Sequence, residues 1–190
     1  MLDGEYGDII DAASMVVRVN RIRIGPEYAK HTGTKTTVWF AAKNPAKEIT
    51  EQSLKQFGVK HVVVVGTDTY HACKPACTAA GVPLELYPPE RHALIGMVFA
   101  PPKPRGDKTS YDWEIERGYR PSTGMLAIDW MLNCEHAPVV ATIGIDGIFI
   151  HEHYYGGQTF NHSPEYSATE LAFYNCLRLY GKVRRLQGDI

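Results

Sequence analysis

The chain has 190 residues, 44% of them apolar, which allows one domain with a sizeable core and speaks against disorder. Lysine and arginine number 20 against 21 aspartates and glutamates, and the net charge of −1 gives no overall footprint for nucleic acid or an anionic membrane. No apolar run reaches membrane-spanning length and the N-terminus lacks signal-peptide character, so a soluble, cytoplasmic protein is expected.

Residues 3–7 are short, acidic and glycine-containing, and read as a loop. Met15 to Asn20 is rich in β-formers and predicts a strand ending in a polar residue. Gly33-Thr34-Lys35-Thr36-Thr37 leads into a second strand, Val38 to Ala41. Its glycine, threonines and lysine suggest a phosphate loop, but the nucleotide-binding pattern G-x-x-x-x-G-K-[ST] is absent and a strand follows instead of a helix. Lys35 and Arg18 are expected to be solvated or paired at the surface. Pro45 to Phe57 predicts an amphipathic helix that Gly58 ends. Lys60 to Gly66 is a continuous apolar run, the mark of a strand buried on both faces.

Asp68 or Thr69 is the expected cap of a helix reaching about Ala80, with Gly81 closing it. It carries Cys73 and Cys77. No second cysteine pair answers these two, and Cys134 and Cys176 stand apart, so reduced thiols are expected instead of a zinc site. Leu84 to Tyr87 is a short strand stopped by Pro88 and Pro89. Lys103 to Arg120 is the longest irregular stretch and the best candidate for an active-site loop.

Arg120-Pro121-Ser122-Thr123-Gly124 turns abruptly into a helix that includes Met125, Leu126, Ile128, Trp130 and Leu132. Ser122 or Thr123 is a natural N-cap, and Gly124 admits close approach to the backbone. A buried helix opening on small hydroxyls and a glycine suits a phosphate or carboxylate, because its first amides and its dipole both favour an anion. An ordinary capped helix is the alternative. Pro138 to Ile145 is another buried strand, and Asp146-Gly147 suits a hairpin into Ile148 to Ile150. Ser163-Pro164-Glu165 opens a last helix that runs to about Tyr180 and ends at Gly181. The bases Arg178, Lys182, Arg184 and Arg185 gather at its negative end. Strands and helices alternate along most of the chain. This predicts a single α/β domain over residues 1–190, with a mostly parallel central sheet flanked by helices. Ligands bind at the carboxyl ends of strands in such sheets, where Asn20, the Ser122 turn and the His153 segment are expected to meet.

Three histidines, His151, His153 and His162, lie within twelve residues. Along an extended backbone His151 and His153 point the same way, so with His162 they could hold zinc and serve a hydrolase. Alternatively one acts as a general base and another offsets charge on a leaving phosphate. Beside Gly156 and Gly157, Tyr154 and Tyr155 either pack or wall a sugar site.

Taken together these pieces resemble the animal-type sialyltransferase family and its bacterial and viral relatives. The family's large motif is matched by Ile10-Asp11, by Val16-Val17-Arg18-Val19-Asn20 and by Gly33-Thr34-Lys35-Thr36. The small motif is matched by Pro121 to Gly124 with the strand from Val139. The third motif is His153-Tyr154-Tyr155, and the fourth is His162 followed by Glu165 or Glu170. The resemblance implies a Rossmann-like, GT-A-like variant fold. It also implies an inverting, metal-independent transfer, with no cofactor, from a CMP-linked donor such as CMP-sialic acid or a Kdo-like acid to a glycan acceptor. By the same resemblance Asn20, Ser122, Thr123, Gly124 and Tyr154 bind the donor, His153 sits by the leaving phosphate and His162 deprotonates the acceptor hydroxyl. A non-catalytic relative that binds a nucleotide or glycan is the alternative of another class.

The chain departs from the family pattern in three places. It begins after the expected first strand and its glycine-asparagine loop, so a weakly active or inactive form is expected. No cysteine precedes Cys73, so the disulfide joining the large and small motifs of animal members has no counterpart. The usual histidine-to-glutamate spacing of five in the fourth motif lands on Ser167.

Overall fold

The computed structural model describes residues 4–42, 45–99, 121–144 and 164–186. The chain divides into two compact units, Met1–Tyr87 and Pro88–Ile190.

The first unit alternates helix and strand: α1 (Gly7–Ala12), β1 (Val17–Val19), α2 (Pro26–Thr32), β2 (Val38–Ala41), α3 (Glu51–Gln56), β3 (His61–Val64), α4 (Thr67–Ala80) and β4 (Leu84–Leu86). The strands form one four-stranded sheet in the order β1-β2-β3-β4, and every pairing is parallel. This is the α/β architecture that the alternation predicts. The two central strands read as unbroken apolar runs because both of their faces are covered. Trp39 and Ala41 of β2 lie beside Val62 and Val64 of β3, and this face packs on Leu54, Cys73 and Cys77 from α3 and α4. Phe40 alternates to the opposite face, where its ring meets Tyr87 edge-on at 5.8 Å.

Several local expectations are corrected. The stretch from Pro45 to Phe57 is not one helix. A 3-10 turn, Pro45–Glu48, precedes α3, and Thr50 between them is extended. Thr50 accepts from the Ser53 N–H while the Ser53 hydroxyl oxygen accepts from the Thr50 N–H, so a reciprocal capping box starts the helix afresh. Asp68 and Thr69 do not cap α4. Gly66, at φ +91°, holds that position without a side chain, and Asp68 falls in the first turn where its charge suits the dipole.

Arg18 and Lys35 are not merely solvated. The loop from Gly33 to Thr36 is bound on one side by Asp11. Its carboxylate accepts from the Thr34 N–H at 2.9 Å, the Lys35 N–H at 2.8 Å and the Thr34 hydroxyl at 3.0 Å. On the other side Arg18 donates to the Thr32 carbonyl at 2.9 Å and, through Nε, to the Lys35 carbonyl and the Thr36 hydroxyl. The Lys35 ammonium donates to the Ala13 carbonyl. Gly33 has φ +67°, and a Cβ there would lie 2.3 Å from an Asp11 oxygen, so only glycine lets the carboxylate close on the loop. The large-motif residues thus tie α1, β1 and the entry to β2 into one polar knot.

In the second unit are α5 (Pro89–Phe99), α6 (Thr123–Asn133), β5 (Val140–Thr142), α7 (Pro164–Leu179) and β6 (Val183–Arg185). Six consecutive residues of α6, Met125 to Trp130, are buried, so this helix is enclosed on all sides. β5 pairs in parallel with β6, which takes up Arg184 and Arg185. These two arginines are therefore strand residues and not part of the helix terminus. Ala141 is exposed, so β5 is covered on one face only, not two. The Thr142 hydroxyl shares a 2.5 Å hydrogen bond with the Tyr174 hydroxyl of α7. Lys103 to Arg120 and the hairpin at Asp146-Gly147 lie outside the described residues.

None of the four cysteines is in a disulfide. Burial raises the pKa of Cys73 and, with the neighbouring Cys73 sulfur, pushes Cys77 up to about 11.

Burial alone would raise the Asp11 pKa. The Lys35 and Thr34 amides, the Thr34 hydroxyl and the Arg18 charge together outweigh it and hold the carboxyl below its ordinary 3.8. A depressed folded pKa gives stability that is present above 3.8 and is lost as the pH falls through the folded value. Asp11→Ala is expected to lower stability at neutral pH by about 1–2 kcal/mol, the lower end of the charged hydrogen-bond range because the site is partly solvated. In urea unfolding the gap between wild type and variant should narrow at pH 3 and below; a gap independent of pH would contradict the assignment.

Candidate functional site

The turn that opens α6 is built by its own side chains. Ser122 is extended, with φ −62° and ψ 153°, and its hydroxyl oxygen accepts from the Met125 N–H at 3.2 Å. The Ser122 carbonyl accepts from Leu126 N–H at 3.1 Å and so begins the helical ladder. Of the two offered caps, Ser122 is the one used.

A second acid completes the turn. Glu170 of α7 is 1% exposed. Its Oε2 accepts from the Ser122 N–H at 2.9 Å, and its Oε1 accepts from the Ser122 hydroxyl. The same helix face carries Tyr174 one turn later, so α7 is pinned to the start of α6 and to β5 by side chains four residues apart. This choice between Glu165 and Glu170 was open in the sequence; the Glu165 side chain lies outside the described residues. The signal available was a lone acid within a largely apolar stretch of helix, followed by Leu171, Phe173 and Tyr174.

These bonds leave a defined remainder. The N–H groups of Ser122, Met125 and Leu126 are taken, while those of Thr123 and Gly124 have no hydrogen-bond partner among the described residues. Two adjacent amides at the positive end of an eleven-residue helix can receive an anion. The body of the helix is held by Asp129, 5% exposed, which accepts from Nε and Nη2 of Arg91 at 2.7 and 2.5 Å and from Asn133 Nδ2 at 2.9 Å. Sequence reading did not single out this bidentate pair.

Asn20 belongs to the first unit, at the carboxyl end of β1. It adopts φ +59°, a left-handed conformation that asparagine tolerates better than most residues. Its N–H donates to the Phe40 carbonyl, its own carbonyl accepts from Trp39 Nε1 at 2.6 Å, and its Oδ1 accepts from the Ala42 N–H at 3.3 Å. Only the Nδ2 amide has no hydrogen-bond partner among the described residues. His151, His153, Tyr154 and His162 lie outside the described residues.

Residues 1–170 match the family model described as glycosyltransferase family 29 (sialyltransferase). The chain belongs to that family. The matched span runs from the Asp11–Arg18 knot through the Ser122 turn to Glu170. Searches of curated proteins and of solved structures return no match. The chain is thus a sialyltransferase-type glycosyltransferase with a parallel α/β fold. No helix among its described residues is long and apolar enough to cross a membrane.

For the family 29 chain, Glu170→Ala should destabilise the fold by about 1.5–3 kcal/mol, because two partly buried donors on Ser122 lose a charged, buried acceptor. Glu170→Gln should cost less. A double-mutant cycle with Ser122→Ala is expected to show coupling of at least about 1 kcal/mol, measured by chemical denaturation. Strict additivity would mean that the two side chains do not act together.

Proposed function

We propose that the protein transfers a sugar acid, sialic acid or a Kdo-like acid, from a CMP-linked donor to a glycan hydroxyl, with inversion and without a metal. Membership of glycosyltransferase family 29 carries this reading, and the opening of α6 supports it chemically. The donor phosphate is received by the Thr123 and Gly124 amides, while Ser122, held by Glu170, keeps those amides in place. Asn20 contributes its Nδ2 amide to the nucleotide. Tyr154 walls the donor site.

His162 takes the proton of the acceptor hydroxyl as its oxygen attacks the anomeric carbon. The bond from that carbon to the CMP phosphate oxygen breaks, and the configuration inverts. His153 donates a hydrogen bond to the departing phosphate and offsets its charge.

CMP or CDP is expected to raise the melting temperature of the protein, and UDP or GDP to raise it less, because a ligand that binds only the folded state must stabilise it. No preference for cytidine nucleotides in a thermal-shift series would count against this donor class.

His162→Ala should reduce turnover roughly 10²-fold or more and leave CMP affinity almost unchanged, since its partner is the acceptor. His153→Ala should weaken both. Steady-state transfer assays paired with CMP titration separate the two roles; wild-type turnover in His162→Ala would remove it from the mechanism.

A further inference from the structure

The near-zero net charge of the chain hides a local excess. Residues 171–186 contain four bases, Arg178, Lys182, Arg184 and Arg185, and no acid. The backbone concentrates them. α7 ends at Leu179, Gly181 at φ +67° reverses the chain, and β6 begins two residues later. Val183 turns inward at 3% exposure, so Arg184 next to it turns out.

Two large apolar side chains stand at the same turn. Leu179 is 87% exposed and Tyr180 is 81% exposed, well above Ile9 at 57%, the next large apolar residue among those described. Leu179 itself, with Arg178, Arg184 and Arg185, lines an open depression of about 550 Å³ that Asn175 and Val183 complete. The helix dipole accounts for a base at the end of α7. It does not account for a consecutive leucine and tyrosine both exposed to solvent.

We infer that this corner docks the protein on an anionic lipid bilayer. Leucine enters the acyl boundary, tyrosine sits at headgroup level and the exposed Lys182 and Arg184 meet lipid phosphates, which is the division of labour an interfacial anchor requires. A single-stranded nucleic acid would use the bases and the tyrosine but leave the leucine idle. An acidic protein would have to supply a recess for two consecutive apolar side chains that are almost fully exposed. The inference is independent of the donor chemistry.

The test is co-sedimentation of the whole chain with vesicles of phosphatidylcholine alone, or with about one third phosphatidylglycerol. Wild type should partition to the anionic vesicles at least roughly 20-fold better, and the advantage should fall as salt is raised. Lys182→Gln with Arg184→Gln should lose about 5-fold per charge. Leu179→Ser with Tyr180→Ser should lose about 10-fold even at low salt. All four side chains are exposed, so the melting temperatures should match wild type. The charge-keeping pair Lys182→Arg with Arg184→Lys should bind as wild type does. Equal binding to both vesicles, or full binding by the serine pair, overturns the inference; charge dependence without dependence on Leu179 and Tyr180 would assign the patch to a soluble polyanion instead.

Discussion

A carboxylate closed over the amides of a loop is the constraint on which each unit depends. In the first unit Asp11 gathers the Thr34 and Lys35 N–H groups, and Arg18 closes the other side of the same loop. In the second Glu170 gathers the N–H and hydroxyl of Ser122. Loop amides at these points have no ladder to join, and leaving them dry would cost free energy comparable to a lost hydrogen bond. An acid supplies two oxygens and several lone pairs from one side chain, so one residue can satisfy a whole turn. Both acids lie in the span that matches the family model, and both act on the polypeptide itself. Both residues serve the geometry of the backbone.

The alternation of strands and helices was legible because β2 and β3 are enclosed, and enclosure leaves an unbroken apolar run. Shorter elements were not. α1 has six residues and opens on a glycine, α2 is announced only by Pro26 after Gly25, and α5 begins on Pro89, which also reads as a strand stop. β6 has three residues, two of them arginine, and owes its extended form to its partner β5 and not to its own propensity. The break before α3 carries little sequence signal because the reciprocal cap uses Ser53 where glutamate or glutamine is usual.

Legibility of the site followed a different rule. Ser122 could be read as a cap because capping is local, decided within three residues. Its second partner, Glu170, is 48 residues away, and no spacing rule reaches that far. The same holds for Arg91 and Asp129, 38 residues apart. Arg18 and Lys35 looked like surface charges since their acceptors are backbone carbonyls, which every residue carries and no sequence pattern marks.

The two thiols under the first sheet have a practical meaning. With the Cys77 pKa near 11, on the order of one part in ten thousand of that thiol is ionised at neutral pH, and the burial of both sulfurs blocks approach as well. Cys134 is half-covered, whereas Cys176 is exposed on α7. A maleimide dye offered briefly at neutral pH should therefore attach at Cys176 first. It would sit two residues past Tyr174, which bonds Thr142 of β5, and three before Leu179 at the basic corner, where one fluorophore could report events at either end of the helix.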